Sequence, residues 1–167
     1  MQSRVHPIAK ITKTSGLDGK VRLRPLSRYF DDHINNPSLT LGDSQEQSEA
    51  IKLEFISGIG KKRSFKFCGV NTINDALKIV GKILFAQADA DDGINLISKA
   101  LVGYDVVTLE GKNVGVLKDV MWLPSNDVYV ITKNNLEYLI PIIPEVIKNI
   151  DYQLRTIIIS PMDGLLD

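Results

Sequence analysis

The sequence predicts an all-β protein with a few short helices, arranged as two small units. Three observations carry this. Apolar residues recur at every second position in short runs, turn-forming residues punctuate those runs, and one acidic, aperiodic stretch divides the chain. With 167 residues, 44% of them hydrophobic, the chain can bury one large core or two small ones.

In chain order, residues 8–13 and 20–24 (Lys-Val-Arg-Leu-Arg) alternate polar with apolar, as half-buried strands do. Thr14-Ser15-Gly16-Leu17-Asp18-Gly19 sits between them as a turn. The stretch 31–49 is rich in Asn, Asp, Ser and Gln and reads as a long polar loop. Strands are expected at 50–56 and 63–67, joined in a hairpin by Ser57-Gly58-Ile59-Gly60-Lys61-Lys62. Thr72 followed by Asp75-Ala76-Leu77-Lys78-Ile79-Val80 predicts a capped, short amphipathic helix stopped by Gly81, and 82–85 returns to strand.

Gln87-Ala88-Asp89-Ala90-Asp91-Asp92-Gly93-Ile94-Asn95 is small, acidic and without periodicity. It places the boundaries at 1–88 for the first unit, 89–97 for a linker and 98–167 for the second. The second unit reads as strands at 105–109, 114–121, 127–132, 137–141 and 156–159. Glu110-Gly111-Lys112-Asn113 and Lys133-Asn134-Asn135 supply tight turns. Many short strands at close spacing imply a small barrel, because closure removes exposed edges.

Net charge is zero, yet residues 1–88 hold 14 Lys/Arg against 8 Asp/Glu, whereas 98–167 hold 6 against 9. The basic half can face RNA, although solvated surface charge accounts equally well for the asymmetry. No apolar run reaches 18 residues and the amino terminus lacks a secretory pattern, so neither membrane insertion nor export is expected, and the cytoplasm is the expected compartment. Cys68 is alone, which fits a reducing compartment.

Enzyme chemistry fails on inventory. Cys68 is expected to pack as a small hydrophobe, and the histidines, His6 and His33, fall in a terminal segment and a loop, so no nucleophile meets a base. No histidine or cysteine has metal-ligand spacing, and Asp89-Ala90-Asp91-Asp92-Gly93 lacks the later glutamate of a calcium loop. Ser57 to Lys62 has glycines and lysines like a phosphate loop, but a strand pattern follows where that loop needs a helix. A phosphate-backbone contact through Lys61, Lys62 and Arg63 is the minority alternative there. Trp122 is read as a core or rim residue, with a stacking platform or an interface anchor as the alternatives.

Two blocks carry a family resemblance. Ile8-Ala9-Lys10-Ile11-Thr12-Lys13-Thr14-Ser15-Gly16-Leu17-Asp18-Gly19-Lys20-Val21-Arg22-Leu23 resembles the opening hairpin of the RimM amino-terminal domain. Gly103-Tyr104-Asp105-Val106-Val107-Thr108, Gly111, Val114-Gly115, Ser125-Asn126-Asp127-Val128-Tyr129-Val130, Leu139-Ile140-Pro141, residues 146–151 and Gly164-Leu165-Leu166-Asp167 follow that family's PRC-barrel pattern in order. Gly69-Val70-Asn71-Thr72-Ile73-Asn74-Asp75-Ala76 is similar to its short helix. The resemblance implies two six-stranded β-barrels, the second a PRC-barrel, and a role in maturing the head of the 30S subunit and in 16S rRNA processing. The partner it implies is small-subunit ribosomal protein number nineteen. Family members usually carry two tyrosines and a tryptophan just before the second barrel; this chain departs from them with Leu96-Ile97-Ser98.

The expected partner-binding residues are Leu96, Ile97, Ser98, Tyr104, Trp122, Asn126 and Asp127. The expected rRNA contacts are Lys13, Lys20, Arg22, Arg24, Lys61, Lys62 and Arg63. The chain is expected to act as a monomer, by binding and release, with no catalytic residue, no cofactor and no metal. A general RNA-binding module and an RNA-processing enzyme using Asp119 and Asp127 are the rival readings.

Overall fold

The computed structural model describes residues 5–87 and 92–161, which divide after Asn95 into two compact units. Residues 88–91 of the acidic stretch and the Gly164-Leu165-Leu166-Asp167 terminus lie outside the described residues.

The first unit runs β1 (Val5–Thr14), β2 (Val21–Pro25), α1 (Phe30–His33), β3 (Leu39–Gly42), β4 (Ser48–Ile51), β5 (Leu53–Ser57), β6 (Ser64–Phe67), α2 (Ile73–Ile79) and β7 (Ile83–Gln87). Its strands form one sheet of seven in the order β4-β3-β7-β1-β2-β6-β5. The two edge strands, β4 and β5, are neighbours in sequence, separated by Lys52 alone. Laid flat, such a sheet would hold its edges about 29 Å apart, whereas the link across Lys52 spans about 7 Å at most. The sheet must therefore curl into a barrel, and residues 48–57 act as one bent strand that closes it, which reconciles seven segments with six staves.

Inside lie Ile8, Ile11, Val21, Phe65, Phe67 and Leu84. β1 slips register twice, between Pro7 and Ala9 against β7 and between Ile11 and Lys13 against β2, giving the local bends that curvature needs. At the β1–β2 turn, Gly19 has φ +93°, and a Cβ there would meet the Val70 carbonyl oxygen at 2.2 Å. Only glycine lets the turn lie against the strand-to-helix segment. Thr72 caps α2 by accepting from the Asp75 amide at 3.1 Å, as its position predicts.

The polar composition of 31–49 misled the sequence reading. This stretch contains β3 and the start of β4, and Leu39 and Leu41 alternate inward in a strand too short to stand out. Cys68 is exposed instead of packed, because it follows the last inward residue of β6. His6 is no terminal appendage but a fully buried residue of β1, its ring 5.3 Å edge-on to that of His33. Its Nδ1 lies 2.9 Å from Asn95 Oδ1, an atom that only accepts, so Nδ1 carries the proton. Nε2 then accepts from the Ser27 hydroxyl, which itself accepts from the Tyr29 amide. Burial pushes the His6 pKa down, with the Asn95 hydrogen bond opposing and His33 adding to the fall.

The second unit carries β8 (Asp105–Thr108), β9 (Asn113–Met121), β10 (Val128–Lys133), β11 (Leu136–Pro141), β12 (Ile147–Asp151) and β13 (Thr156–Ile159) in the order β11-β10-β9-β8-β13-β12. β13 pairs parallel with β8, and the other pairs are antiparallel. Again the edge strands follow one another in sequence. Five spacings put flat edges about 24 Å apart, at or beyond the reach of the short 142–146 link, so this sheet curls around Val106, Leu117, Tyr129, Ile131, Ile140 and Ile157. Asn134 and Asn135 take φ of +53° and +69° in the β10–β11 turn, as their residue type predicts. β12 was missed because a register slip between Ile147 and Asn149 breaks its alternation. The segment read as an aperiodic linker contains a further short helix, α3 (Asp92–Leu96).

Two expectations follow. Gly115 has φ +143°, and a Cβ there would sit 2.4 Å from the Thr132 carbonyl oxygen of the neighbouring strand. Gly115→Ala should cost about 2–4 kcal/mol in urea unfolding, and an unchanged midpoint would show that β9 and β10 part easily. The second concerns acid. The folded His6 pKa lies below the unfolded value near 6.5, so the unfolded chain binds the proton more readily. Stability is thus intact above about pH 6.5 and falls as pH drops below it, and His6→Gln should flatten that fall.

Candidate functional site

Outward-facing cations on the first unit come together on the β1–β2 pair. Lys20, Arg22 and Arg24 share one side of their strand because side chains alternate. The register sets Lys10 across from Arg24 and Lys13 across from Arg22, so five cations occupy one face. Lys13 and Arg24 are exposed, and Lys10, Lys20 and Arg22 are half-buried. Arg22 Nη1 also donates to the Lys61 carbonyl at 3.3 Å, which ties the 58–62 turn, with Lys61 and Lys62 exposed, to the same face. Sequence reasoning found the β2 cations and missed Lys10, whose place depends on a slipped register.

Arg63 takes a different role. Its guanidinium lies 5.6 and 5.5 Å from the centroids of Phe30 and Phe65 and donates to Asp31 at 2.8 Å. It serves the fold more than the row. Lys66, not singled out from sequence, is buried, and its ammonium donates to Glu54, the Phe67 carbonyl and Asn71 at 3.3, 2.9 and 3.0 Å.

In the second unit, residues 96–98 are bound into the barrel by its aromatic side chains. The Tyr129 hydroxyl donates to the Leu96 carbonyl at 2.5 Å, and the Trp122 indole N–H donates to the Ile97 carbonyl at 2.8 Å. Burial pushes the Tyr129 phenol far above its ordinary pKa, keeping it a neutral donor. Ser98 is buried and accepts from the Ala100 amide at 3.1 Å, starting the 3₁₀ turn Lys99–Leu101. Ile97 and Tyr104 are buried as well, with the Arg155 guanidinium 4.8 Å from the Tyr104 centroid. Burial raises the Tyr104 pKa, the Arg155 charge opposes this, and Asp151 adds to it.

Of the seven expected partner contacts, Ile97, Ser98 and Tyr104 therefore turn their side chains into the unit. Trp122 and Leu96 are half-buried against the core. The outer surface of Trp122 carries the Lys99 ammonium 4.6 Å from its ring centroid, and Lys99 pairs with Asp119 at 3.6 Å. Asn126 is exposed, and Asp127 accepts from the Leu123 amide at 3.1 Å, shaping the turn that presents it.

Among the described residues, no three His, Cys, Asp or Glu side chains are grouped to hold a metal ion. Among them, too, no helix is long and apolar enough to cross a membrane.

The sequence matches two family models in succession, the RimM N-terminal domain over residues 6–91 and the RimM PRC barrel domain over residues 98–165. It is similar to the ribosome maturation factor RimM of Thermoanaerobacter sp., 31% identical over 163 residues, covering 95% of this chain and 96% of the relative. The Staphylococcus haemolyticus protein of that description is 30% identical over 165 residues, covering 96% of this chain and 98% of its own. A crystal structure of a RimM 16S ribosomal RNA processing protein from Pseudomonas aeruginosa superposes with a TM-score of 0.46 at 19% identity, covering 93% of this chain and 96% of the other.

The anchoring of 96–98 predicts the effect of Tyr129→Phe. It strands the Leu96 carbonyl and should lower stability by about 1–2 kcal/mol. Amide exchange at 97–102 should quicken more than in β13. Equal exchange in both places would show that the hydroxyl does not hold this segment.

Proposed function

The chain belongs to the RimM family, and from that premise we propose that it is a ribosome maturation factor assisting 30S assembly and 16S rRNA processing. The observation that carries this is the succession of both RimM domain models, in order, over 6–91 and 98–165. The finer reading is that the chain binds the immature head of the 30S subunit. There the second unit recognises small-subunit ribosomal protein number nineteen, using the surface around Trp122, Asn126 and Asp127. The face bearing Lys10, Lys13, Lys20, Arg22 and Arg24 meets rRNA backbone, with Lys61 and Lys62 beside it.

The chemistry of the displayed groups favours binding over bond making. Ammonium and guanidinium groups serve phosphate oxygens as hydrogen-bond donors. Phosphate contacts position a protein without reading bases, so selectivity for a maturing particle would come from the protein partner. Such a factor acts by binding one assembly state better than the next, which needs no cofactor.

Co-sedimentation with immature 30S particles, mature 30S subunits and 70S ribosomes at several salt concentrations tests the reading. The expected result is a preference for immature particles, with Arg22→Ala and Arg24→Ala each lowering the salt slope by about one. Equal binding to any RNA, erased by salt, would leave a general RNA-binding module in its place.

A further inference from the structure

Phe55 is an anomaly of the first unit. It lies on a strand of the barrel yet is 43% exposed. The cause is a register slip of β5 against β6 between Leu53 and Phe55, which sets Phe55 across from Lys66 and leaves Glu54 to pair with the Lys66 ammonium at 3.3 Å. A slip of this kind re-aims side chains. Here it turns an aromatic ring outward among cations, with Lys20 Nζ 5.8 Å from the ring centroid.

Phe55 also lines an open cleft of about 380 Å³ between β5 and the 34–37 turn, whose walls include Ile34, Asn35, Pro37, Lys52 and Glu54. Asn36, at the same turn, is committed to the backbone, accepting from the Ser38 amide at 2.8 Å and donating to the Gln87 carbonyl at 3.3 Å. It fixes the turn and leaves the exposed Asn35 amide at the cleft.

We propose that this cleft takes one unstacked nucleobase of single-stranded RNA, stacked on Phe55, with the Asn35 amide at the base edge and Lys20 and Lys52 near the flanking phosphates. The inference deepens the rRNA-contact reading and rests on it. Stacking suits the site because every base has an aromatic face, and a carboxamide offers both a donor and an acceptor to its edge. Lys52 in the cleft wall and Lys20 beside the ring favour an anionic strand over an apolar peptide, and the Glu54 carboxylate in the same wall is offset by its pairing with Lys66.

The test uses the full chain and a short single-stranded RNA with one 2-aminopurine, whose fluorescence falls on stacking. Wild type should quench it. Phe55→Leu should abolish quenching and weaken binding about tenfold without changing the salt slope, and Phe55→Tyr should restore both. Matched melting temperatures establish that the variants fold, as expected for a half-exposed side chain. Wild-type quenching and affinity in Phe55→Leu would overturn the cleft, even while Arg24→Ala still lowers the salt slope and the rRNA reading stands. No binding of RNA or 30S particles by wild type would overturn both. Weakened binding of immature particles by Phe55→Leu, with RNA binding and quenching unchanged, would assign the ring to a protein contact and overturn the nucleobase reading.

Discussion

Both units depend on one constraint: the two edge strands of each sheet are consecutive in the chain. A link of one residue at Lys52, and of a few residues at 142–146, cannot bridge the width of a flat sheet, so each sheet has to roll up. Closure then decides the rest. It gives every strand an inner and an outer face and, in the first unit, joins the two end strands through Lys52. It also demands bends, which this chain supplies by register slips in β1, β5, β9, β10 and β12.

The proposed rRNA-facing surface follows from that geometry. With Ile8, Ile11 and Val21 turned inward, the outer side of the β1–β2 pair carries Lys10 across from Arg24 and Lys13 across from Arg22. Their side chains stand on a rigid, hydrogen-bonded pair of strands, so the spacing between charges is fixed before any partner arrives. The slips have a second consequence. Each changes which residue faces outward, and at β5 the changed residue is Phe55. In the second unit, closure around Tyr129 brings its hydroxyl to the Leu96 carbonyl, so the residues entering that barrel are bound by the barrel's own aromatic side chains.

Much of this was legible in the residues themselves. Strict alternation at 20–24 revealed both the strand and its cationic face, and Thr72 with Asp75 gave the cap of α2. The Asn134-Asn135 pair announced its turn. What escaped the reading has physical causes. β3 lies within a polar stretch with Leu39 and Leu41 as its inward signal, and β12 loses its period at a slip. Lys10 joins the cationic face through cross-strand register, which a single strand does not encode. The place of Ile97, Ser98 and Tyr104 in the chain suggests contacts but does not encode their burial, which comes from packing at the entry to the second barrel. His6 looked peripheral because its partners, Ser27 and Asn95, are distant in sequence.

In the proposed function, the β1–β2 face of the first unit meets 16S rRNA within an immature small subunit. Ultraviolet cross-linking of the full chain to immature 30S particles, with the linked peptides identified by mass spectrometry, tests it most directly. RNA adducts are expected within residues 8–25 and 61–63, with few on β9 to β11. Adducts confined to the second unit, from a particle that binds the chain stably, would contradict it.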